Sequence, residues 1–592
     1  MKSIAGAAAW LVAACSGPEP QHPSNPGASP AVNADPAATA TPPRTSPTPD
    51  RAVGDVPAST ATSGAGAGAD STATTPAATA TPRRRVTVAA DPDLPEALVP
   101  RATEIRNQLA QSMGGVVVDG DADFIVAVAG QSVSAATSPV LPVDYAAVVS
   151  RRLLVRDVSF EDLGKIWNGS IGDWIDIGSP VSHGVVRYSV LGTTGLLDPA
   201  RVERDVASVD ELATALETER GGIAILPLED VDFRFRTLTV DGVNPIRPGD
   251  ARNPLRVDFE VRPRSGAPGQ ALRSMVTSMA GDPGPQPVSM TWAGDIILGR
   301  LVHVKMVSYG DWAAPFRTIH PEITWADVTI SNLECAISDS YTTPTSPTTF
   351  DFKTDTPAIA GLQLAQIEIL SRANNHSFNF GPIGMRDTTA VLEQAGILHF
   401  GMGEDIHESR RATVIERGGT TYAFLGYNGI SDAWDGAGEG SPGTNPMLDW
   451  LVVEDVYREV ERGHVVIPFF HWGTEYVYDP TEQQRYFAHV AIQSGAAMVM
   501  GSHPHWVQGV ETYLGKPIVY SLGNFVFDQE WSRQTKEGMI AHVWMKGGKP
   551  LSIDLVPILI EDHHKPRRMA NWEAWPVLEE IWAASDRIIA NP

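Results

Sequence analysis

Cysteine is almost missing from this chain. Of 592 residues only Cys15 and Cys335 are cysteines, so a disulfide framework is excluded. Positive charge is also scarce. Lys and Arg total 45 against 70 Asp and Glu, a formal net charge of -25. That balance excludes general nucleic-acid binding, which needs basic surface to displace counterions from phosphate. It does not exclude a small anionic substrate, because one local metal ion or arginine cluster outweighs the global field. Long apolar runs are absent too. No stretch beyond the N-terminus reaches the roughly 20 residues needed to span a bilayer, so the rest of the chain is expected to be soluble. What is present suits globular domains: 43% hydrophobic and 19% charged residues. At roughly 150 residues per domain, the length predicts two to four units.

The chain opens MKSIAGAAAWLVAACSG. Lys2 is a minimal positive start, and Ile4 to Ala14 form an apolar run too short to span a membrane. Leu11-Val12-Ala13-Ala14-Cys15 resembles a bacterial lipobox, in which the cysteine is lipidated and becomes the new N-terminus. Residues 1–15 therefore read as a lipoprotein-type signal peptide. Residues 16–85 are dominated by Ala, Pro, Thr, Ser and Gly with almost no large apolar side chain, a composition that cannot offset its ordering entropy. They read as a disordered tether. The pair implies an extracytoplasmic protein, lipid-anchored to the cell membrane.

Alternating strand and helix signals start at Val86 and run to about 280, as in α/β domains. Within them, "RDVSFEDLGKIWNGSIGDWIDIG" (156–178), Gly192-Thr193-Thr194-Gly195 and Gly221-Gly222-Ile223-Ala224-Ile225-Leu226-Pro227 resemble phosphate-type periplasmic solute-binding proteins. The resemblance implies a smaller α/β domain over 86–280 and an oxyanion ligand at the Gly/Thr loop. Trp167 and Trp174 equally fit plain core and turn positions. The clusters "RSGAPGQ" and "GDPGPQP" mark a linker before 287.

From Val288 onward, polar residues with ligand atoms recur just after apolar strands. Val288–Ala293 runs into "AGDIILGR", Val328–Ser331 into "NLECAIS", and Ile367–Leu370 into "SRANNHSFNFG". Val465–Phe470 and Ala497–Met500 run into "HWGTEY" and "GSHPHW". Helices are expected over Pro382–Ala395 and Thr481–Ser494. Open α/β sheets bind ligands at the carboxyl ends of their strands. Asp295, Asn332, Glu334, Asn375, His376, His471, His503 and His505 are thus expected to converge on one site. A mixed oxygen and nitrogen donor set suits one or two divalent ions of Mn, Fe or Zn.

In combination and order, "AGDIILGR", "NLE", "ANNHSFNFG", "HWGTE", "GSHPHWVQGVE" and "GKPIVYSLGNFVFD" resemble the CapA family of capsule and poly-gamma-glutamate synthesis proteins, within the calcineurin-like metallophosphoesterases. The resemblance implies a metallophosphoesterase-like α/β sandwich over 287–565, followed by a C-terminal tail over 566–592. It implies metal ligation by Asp295, Glu334 (as the bridging acid, with Asn332 beside it), Asn375, His471, His503 and His505. It also implies catalytic roles for His376, for Arg300 as an anion holder, and for Glu475 as an orienter or base. One departure matters: the superfamily places a histidine two residues after the first aspartate, and here that residue is Ile297. His303, His320, His399, His407, His464 and His489 read as structural, and Cys335 as a small buried residue. Asn524 fits either orienting a ligand histidine or closing a strand. The implied function is metal-dependent hydrolysis of a phosphoester or amide during synthesis or export of an anionic capsule polymer, in contact with membrane-bound synthesis machinery. The alternative is a non-catalytic polymer- or partner-binding component with a structural metal.

Overall fold

The computed structural model describes residues 87–590 except 93, 95–97, 113–115, 118–123, 129–139, 191–200, 248–251, 264–283 and 346–349. The signal and tether segments and the Gly192–Gly195 loop expected to hold an oxyanion lie outside the described residues. No described helix is long and apolar enough to cross a membrane.

The C-terminal half is a sandwich of two sheets with helices on both outer faces, one of the few layer arrangements that bury every apolar face. In the first sheet the strands run Leu398–Phe400, Ile369–Ser371, Val328–Leu333, Val288–Ile296, Glu537–Lys546, Lys549–Glu561 and Lys565–Arg568, with Asn524–Val526 also paired to Val288–Ile296. In the second they run Thr413–Arg417, Thr420–Asn428, Val465–His471, Val499–Ser502, Lys516–Val519 and Val510–Tyr513. Within each, the central strands pair in parallel. All nine residues of Val288–Ile296 are buried, as parallel strands covered on both faces should be.

Three apolar layers hold the stack. Between the sheets, Met290, Trp292 and Ile330 meet Phe424, Ile467, Phe469 and Met500, with the Trp292 ring 5.8 Å from Phe424 and 6.0 Å from Phe469. Outside the first sheet, Ile296, Leu333 and Leu370 pack on Val302, Met306, Leu362 and Leu392. Outside the second, Leu425, Val466 and Phe470 pack on Val452, Val456, Phe487 and Ala491 of two helices, Asp449–Glu461 and Glu482–Gln493. Glu482–Gln493 starts on a reciprocal cap, in which Thr481 and Gln484 satisfy each other's backbone donors. Gly294 is required by a close approach: a Cβ there would lie 1.9 Å from the Gly523 carbonyl oxygen.

The strands run further than the sequence pattern marked them. Val328–Leu333, Val465–His471 and Val499–Ser502 each carry their polar residues inside the last strand positions. The apolar run ends where the candidate site begins, but the backbone ladder does not.

The segment after 566, expected as a tail, is structured. It holds the end of strand Lys565–Arg568 and the 20-residue helix Asn571–Ala590. That helix buries Val577, Leu578, Ile581 and Trp582 in the inter-sheet cluster. Its apolar spacing is genuine, but Pro576 is the sixth residue of the helix and resembles a breaker, since its nitrogen has no hydrogen to donate to the Trp572 carbonyl.

The middle region forms a second α/β domain on a nine-stranded sheet whose order includes Phe124–Val128, Arg256–Pro263, Val140–Ser150, Gly222–Pro227 and Val186–Val190. Its helix Phe160–Asn168 starts at the Ser159 cap and ends at Gly169, whose φ of 82° suits glycine. Trp167 and Trp174 are buried, and the Trp174 indole donates to the Gly221 carbonyl at 2.8 Å, so both are core residues. This domain docks on the C-terminal one. Leu154 joins the C-terminal apolar cluster, Arg152 makes a two-pronged pair with Asp586 at 2.5 and 3.0 Å, and Arg220 meets Glu579 at 2.5 Å.

Candidate metal centre

The carboxyl ends of the parallel strands of both sheets meet at one place. Asp295 lies opposite both Asn332 and Asn524 in its sheet, while His471 lies opposite Ser502 in the other. Asp295, Asn332, Glu334, His471 and Ser502 are fully buried, and Asn375, His376, His503 and His505 nearly so.

Two groups of ligand atoms result: Glu334, His471 and His503, and Asp295, Glu334 and His505. Glu334 belongs to both. Asn375 adds its amide oxygen to the first, 2.7 Å from His471 Nε2. His503 Nδ1 is 3.1 Å and Glu334 Oε1 3.5 Å from the same nitrogen. His471 Nε2 thus stands among three atoms that can accept a hydrogen bond, and a single proton on it can serve only one of them. A cation in their midst would turn that crowding into ligation.

The decisive atoms are the Glu334 carboxylate oxygens. Both are buried and neither has a hydrogen-bond partner. A buried polar group left unpaired costs about 1–3 kcal/mol, and more when charged. Burial, then the charges of Asp295 and Glu475, push the Glu334 carboxyl well above the ordinary carboxylate range. Burial pushes Asp295 up to about 6. Burial also drives His471 and His503 well below the usual histidine range, and takes His505 down to about 3 and His376 to about 4. Neutral imidazoles around an unsatisfied acid fit a divalent cation.

Neighbouring groups fix the imidazoles. Asn524 donates its amide hydrogens to Gln529 and to the Thr535 carbonyl, so its oxygen can only accept, and it lies 2.9 Å from His505 Nδ1. That places the proton on Nδ1 and leaves His505 Nε2 as the ligand atom. Asn524 therefore both orients a histidine and begins strand Asn524–Val526. Asn379 holds His376 Nδ1 in the same way, at 2.9 Å, leaving Nε2 4.0 Å from Glu334 Oε1. Ser502 Oγ lies 3.0 Å from His471 Nδ1. The backbone is strained to match: His503 has φ 97° and His505 φ 56°, a region non-glycine residues occupy only when their surroundings force it.

Asn332 stands beside Asp295, donating to it at 2.8 Å, rather than within either group. Arg300 sits apart from the ligands. It pairs with the buried Asp528 at 3.2 Å, and its guanidinium lies over Phe350 and Phe352; Phe352 in turn lies 4.0 Å from the His376 ring. Glu475 is exposed and outside both groups, and reaches Glu334 only through its charge. Ile297 is fully buried in the apolar layer under the helices and supplies no ligand atom, so the Asp295 group has three protein donors. His303, His407, His464 and His489 bind Thr354, Glu439, Glu459 and Glu511, away from the centre. Cys335 is buried, with its thiol accepting from the Leu298 amide.

Sequence reasoning passed over Asn374. Its amide donates to Asn332 and the Leu333 carbonyl, and its oxygen accepts from the His376 and Ser377 amides. It shapes the loop that presents Asn375 and His376. The signal was the asparagine doublet, in which only one residue can be a ligand. Ser502 and Asn379 gave no signal of their own.

Residues 289–529 match the family described as bacterial capsule synthesis protein PGA_cap. The C-terminal domain belongs to the CapA family. The PGA biosynthesis protein CapA of Bacillus subtilis is 28% identical over 262 residues, covering 44% of this chain and 69% of that protein. A probable polyglutamine synthesis accessory protein of Mycobacterium tuberculosis is 31% identical over 258 residues, covering 40% of this chain and 66% of its own. Among solved structures, an ABC-type phosphate transport receptor from Vibrio cholerae aligns with 33% of this chain and 95% of its own, at 14% identity and TM-score 0.27. A 5'-nucleotidase precursor from Thermus thermophilus aligns with 51% and 59%, at 12% identity and TM-score 0.31. Likenesses that distant carry no functional weight; the architecture of the CapA domain rests on its own sheet topology.

Proposed function

We propose that this chain is an exported, lipid-anchored accessory protein of capsule or poly-gamma-glutamate synthesis, whose CapA domain is a metal-dependent hydrolase for a phosphoester or amide in an anionic polymer or its precursor. The observation that carries the hydrolytic reading is Glu334: a buried carboxylate with two unpartnered oxygens, shared by two groups of ligand atoms.

Asp295, Glu334, Asn375, His471, His503 and His505 would hold the metal. A divalent ion bound there lowers the pKa of a coordinated water and polarises the scissile bond. The chain's own residues do the rest. Asn524, Ser502 and Asn379 fix which imidazole nitrogen faces the centre. His376, neutral at pH 7 and with Nε2 turned inward, is placed to accept a proton or hydrogen bond from a group bound beside Glu334. Arg300, partly exposed above Phe350 and Phe352, is placed to hold an anionic group of the substrate. The Glu334–His471–His503 group with Asn375 would offer a cation four donors, and the Asp295 group would offer three.

The test is a screen of the purified chain against phosphoesters and gamma-glutamyl amides, with Mn, Fe or Zn. Turnover that disappears in Asp295→Ala and His503→Ala supports the proposal, and no turnover with any metal refutes hydrolysis. Ile297 favours the second reading, a polymer- or partner-binding component with a structural metal, which predicts metal content and polymer binding without turnover. Export and anchoring rest on the N-terminal residues. Fatty-acid labelling of the expressed protein that is lost in Cys15→Ser supports them, and unlabelled wild-type protein in the cytoplasm counts against them.

A further inference from the structure

A second polar cavity lies in the seam between the two domains, away from the metal centre. It has a volume of about 220 Å3 and is lined by Arg156, Arg236 and Thr237 from the middle domain and by Trp325, His542 and Asp554 from the CapA domain, among others. His542 pairs with Thr291, four residues before Asp295 on its strand, so roughly 13 Å of extended backbone separates the two places.

The charges in this cavity do not balance. Two guanidinium groups share one carboxylate. Arg156 donates to Asp554 Oδ2 from Nε at 2.6 Å and to Oδ1 from Nη2 at 3.2 Å. Arg236 Nη1 lies 2.9 Å from Asp554 Oδ1, but at an angle that makes no hydrogen bond, and its Nε has no partner either. Arg236 is 4% exposed, so those donors are held away from bulk water. Thr237 Oγ1 and His542 Nε2 are also buried and unpartnered. Burial pushes the Arg236 guanidinium down to about 10 against the pull of Asp554, with Arg156 and Arg568 adding to the fall. An interdomain ion pair kept only as glue would satisfy its donors. Here one positive charge and four polar atoms are left over, beside a cluster of tilted aromatic rings in which Trp325 lies 4.8 Å from His542 and 5.9 Å from Trp544.

We propose that this seam cavity binds a small oxyanion, an inorganic phosphate or the carboxylate of a small organic acid, between Arg236 and Thr237, and so ties the two domains together. Arg236 Nη2 is held by the Arg151 carbonyl at 3.1 Å, so Nε and Nη1, on different edges of the guanidinium, offer single hydrogen bonds to an oxyanion rather than a two-pronged one. The cavity accommodates a ligand of inorganic-anion to amino-acid size, not a polymer. Because residues of both domains line it, occupancy stabilises their docking by mass action.

The test is calorimetric titration of the full-length chain with phosphate and, separately, with glutamate and succinate, repeated on Arg236→Met and on the milder Thr237→Val, which leaves every ion pair in place. The expected result is saturable binding of at least one anion, weakened roughly tenfold in Thr237→Val and more in Arg236→Met, with a thermal midpoint that rises with the anion most in wild type and less in each variant. Binding of phosphate alone or of carboxylates alone identifies the source. No binding of any of the three up to about 10 mM, a concentration that would half-fill even a weak site, overturns the proposal. So does binding of equal strength in wild type and both variants, since the anion then sits elsewhere.

Discussion

Replacing Glu334 by glutamine keeps the size of the side chain and removes the carboxylate shared by both ligand groups. Without metal, this change should cost little. Neither Glu334 oxygen has a hydrogen-bond partner to lose, and burial already favours the uncharged form, so the chelated variant should be as stable as chelated wild type to within about 1 kcal/mol. With metal, the two should separate. An ion present at about 1,000 times its dissociation constant stabilises the folded state by about 4 kcal/mol. For a domain of this size that is roughly 10 °C in thermal midpoint. Scanning calorimetry with and without a chelator should therefore show wild type falling by about that amount on chelation. Glu334→Gln should start low and stay there. If the variant keeps the gap, Glu334 is not a ligand. If the chelated variant is several kcal/mol less stable than chelated wild type, Glu334 is a structural residue and the fit argument fails.

Asn524→Ala frees the His505 ring from its fixed tautomer and should weaken metal binding about 10- to 100-fold with the fold intact by circular dichroism; unchanged affinity in a metal titration would show that the Asn524 contact does not matter. In chelated protein, acid should destabilise. The buried imidazoles His376, His471, His503 and His505 have native pKa values below the unfolded value, so their contribution is present above about pH 6.5 and is lost as pH falls. Asp295 and Glu334 are raised and act in the opposite sense. Four protons against two leave a loss of roughly 3 kcal/mol per pH unit between about pH 6 and 4, and urea melts showing equal stability at both ends would contradict it. Asp554→Ala leaves Arg156 and Arg236 without their carboxylate and should cost about 3 kcal/mol, read as a lower urea midpoint; a neutral result would mean that the seam is not held by this cluster.

The α/β sandwich and the meeting of Asp295, Glu334, Asn375, His471, His503 and His505 were legible because each follows an apolar strand, and parallel sheets gather their strand ends. The proximity of those residues is a property of topology, so a one-dimensional pattern can reveal it. Asn374, Ser502 and Asn379 were not legible, since a residue that positions another is defined by an angle and a distance rather than by a place after a strand. Glu475 was expected as an orienter or base from the resemblance alone, but a turn after the strand end leaves it exposed. The final helix was hidden by Pro576. The seam was hidden because Arg156 and Asp554 are nearly 400 residues apart, and nothing in either local sequence points to the other.

The account turns on bound metal, so metal content is the most direct measurement. Full-length protein purified without chelator, and its Glu334→Gln variant, should be compared by elemental mass spectrometry after exhaustive dialysis. The prediction is one to two equivalents of a divalent transition metal in wild type and a marked fall in the variant. Wild-type protein with no metal above the dialysis buffer, or a variant that retains the full amount, would contradict it.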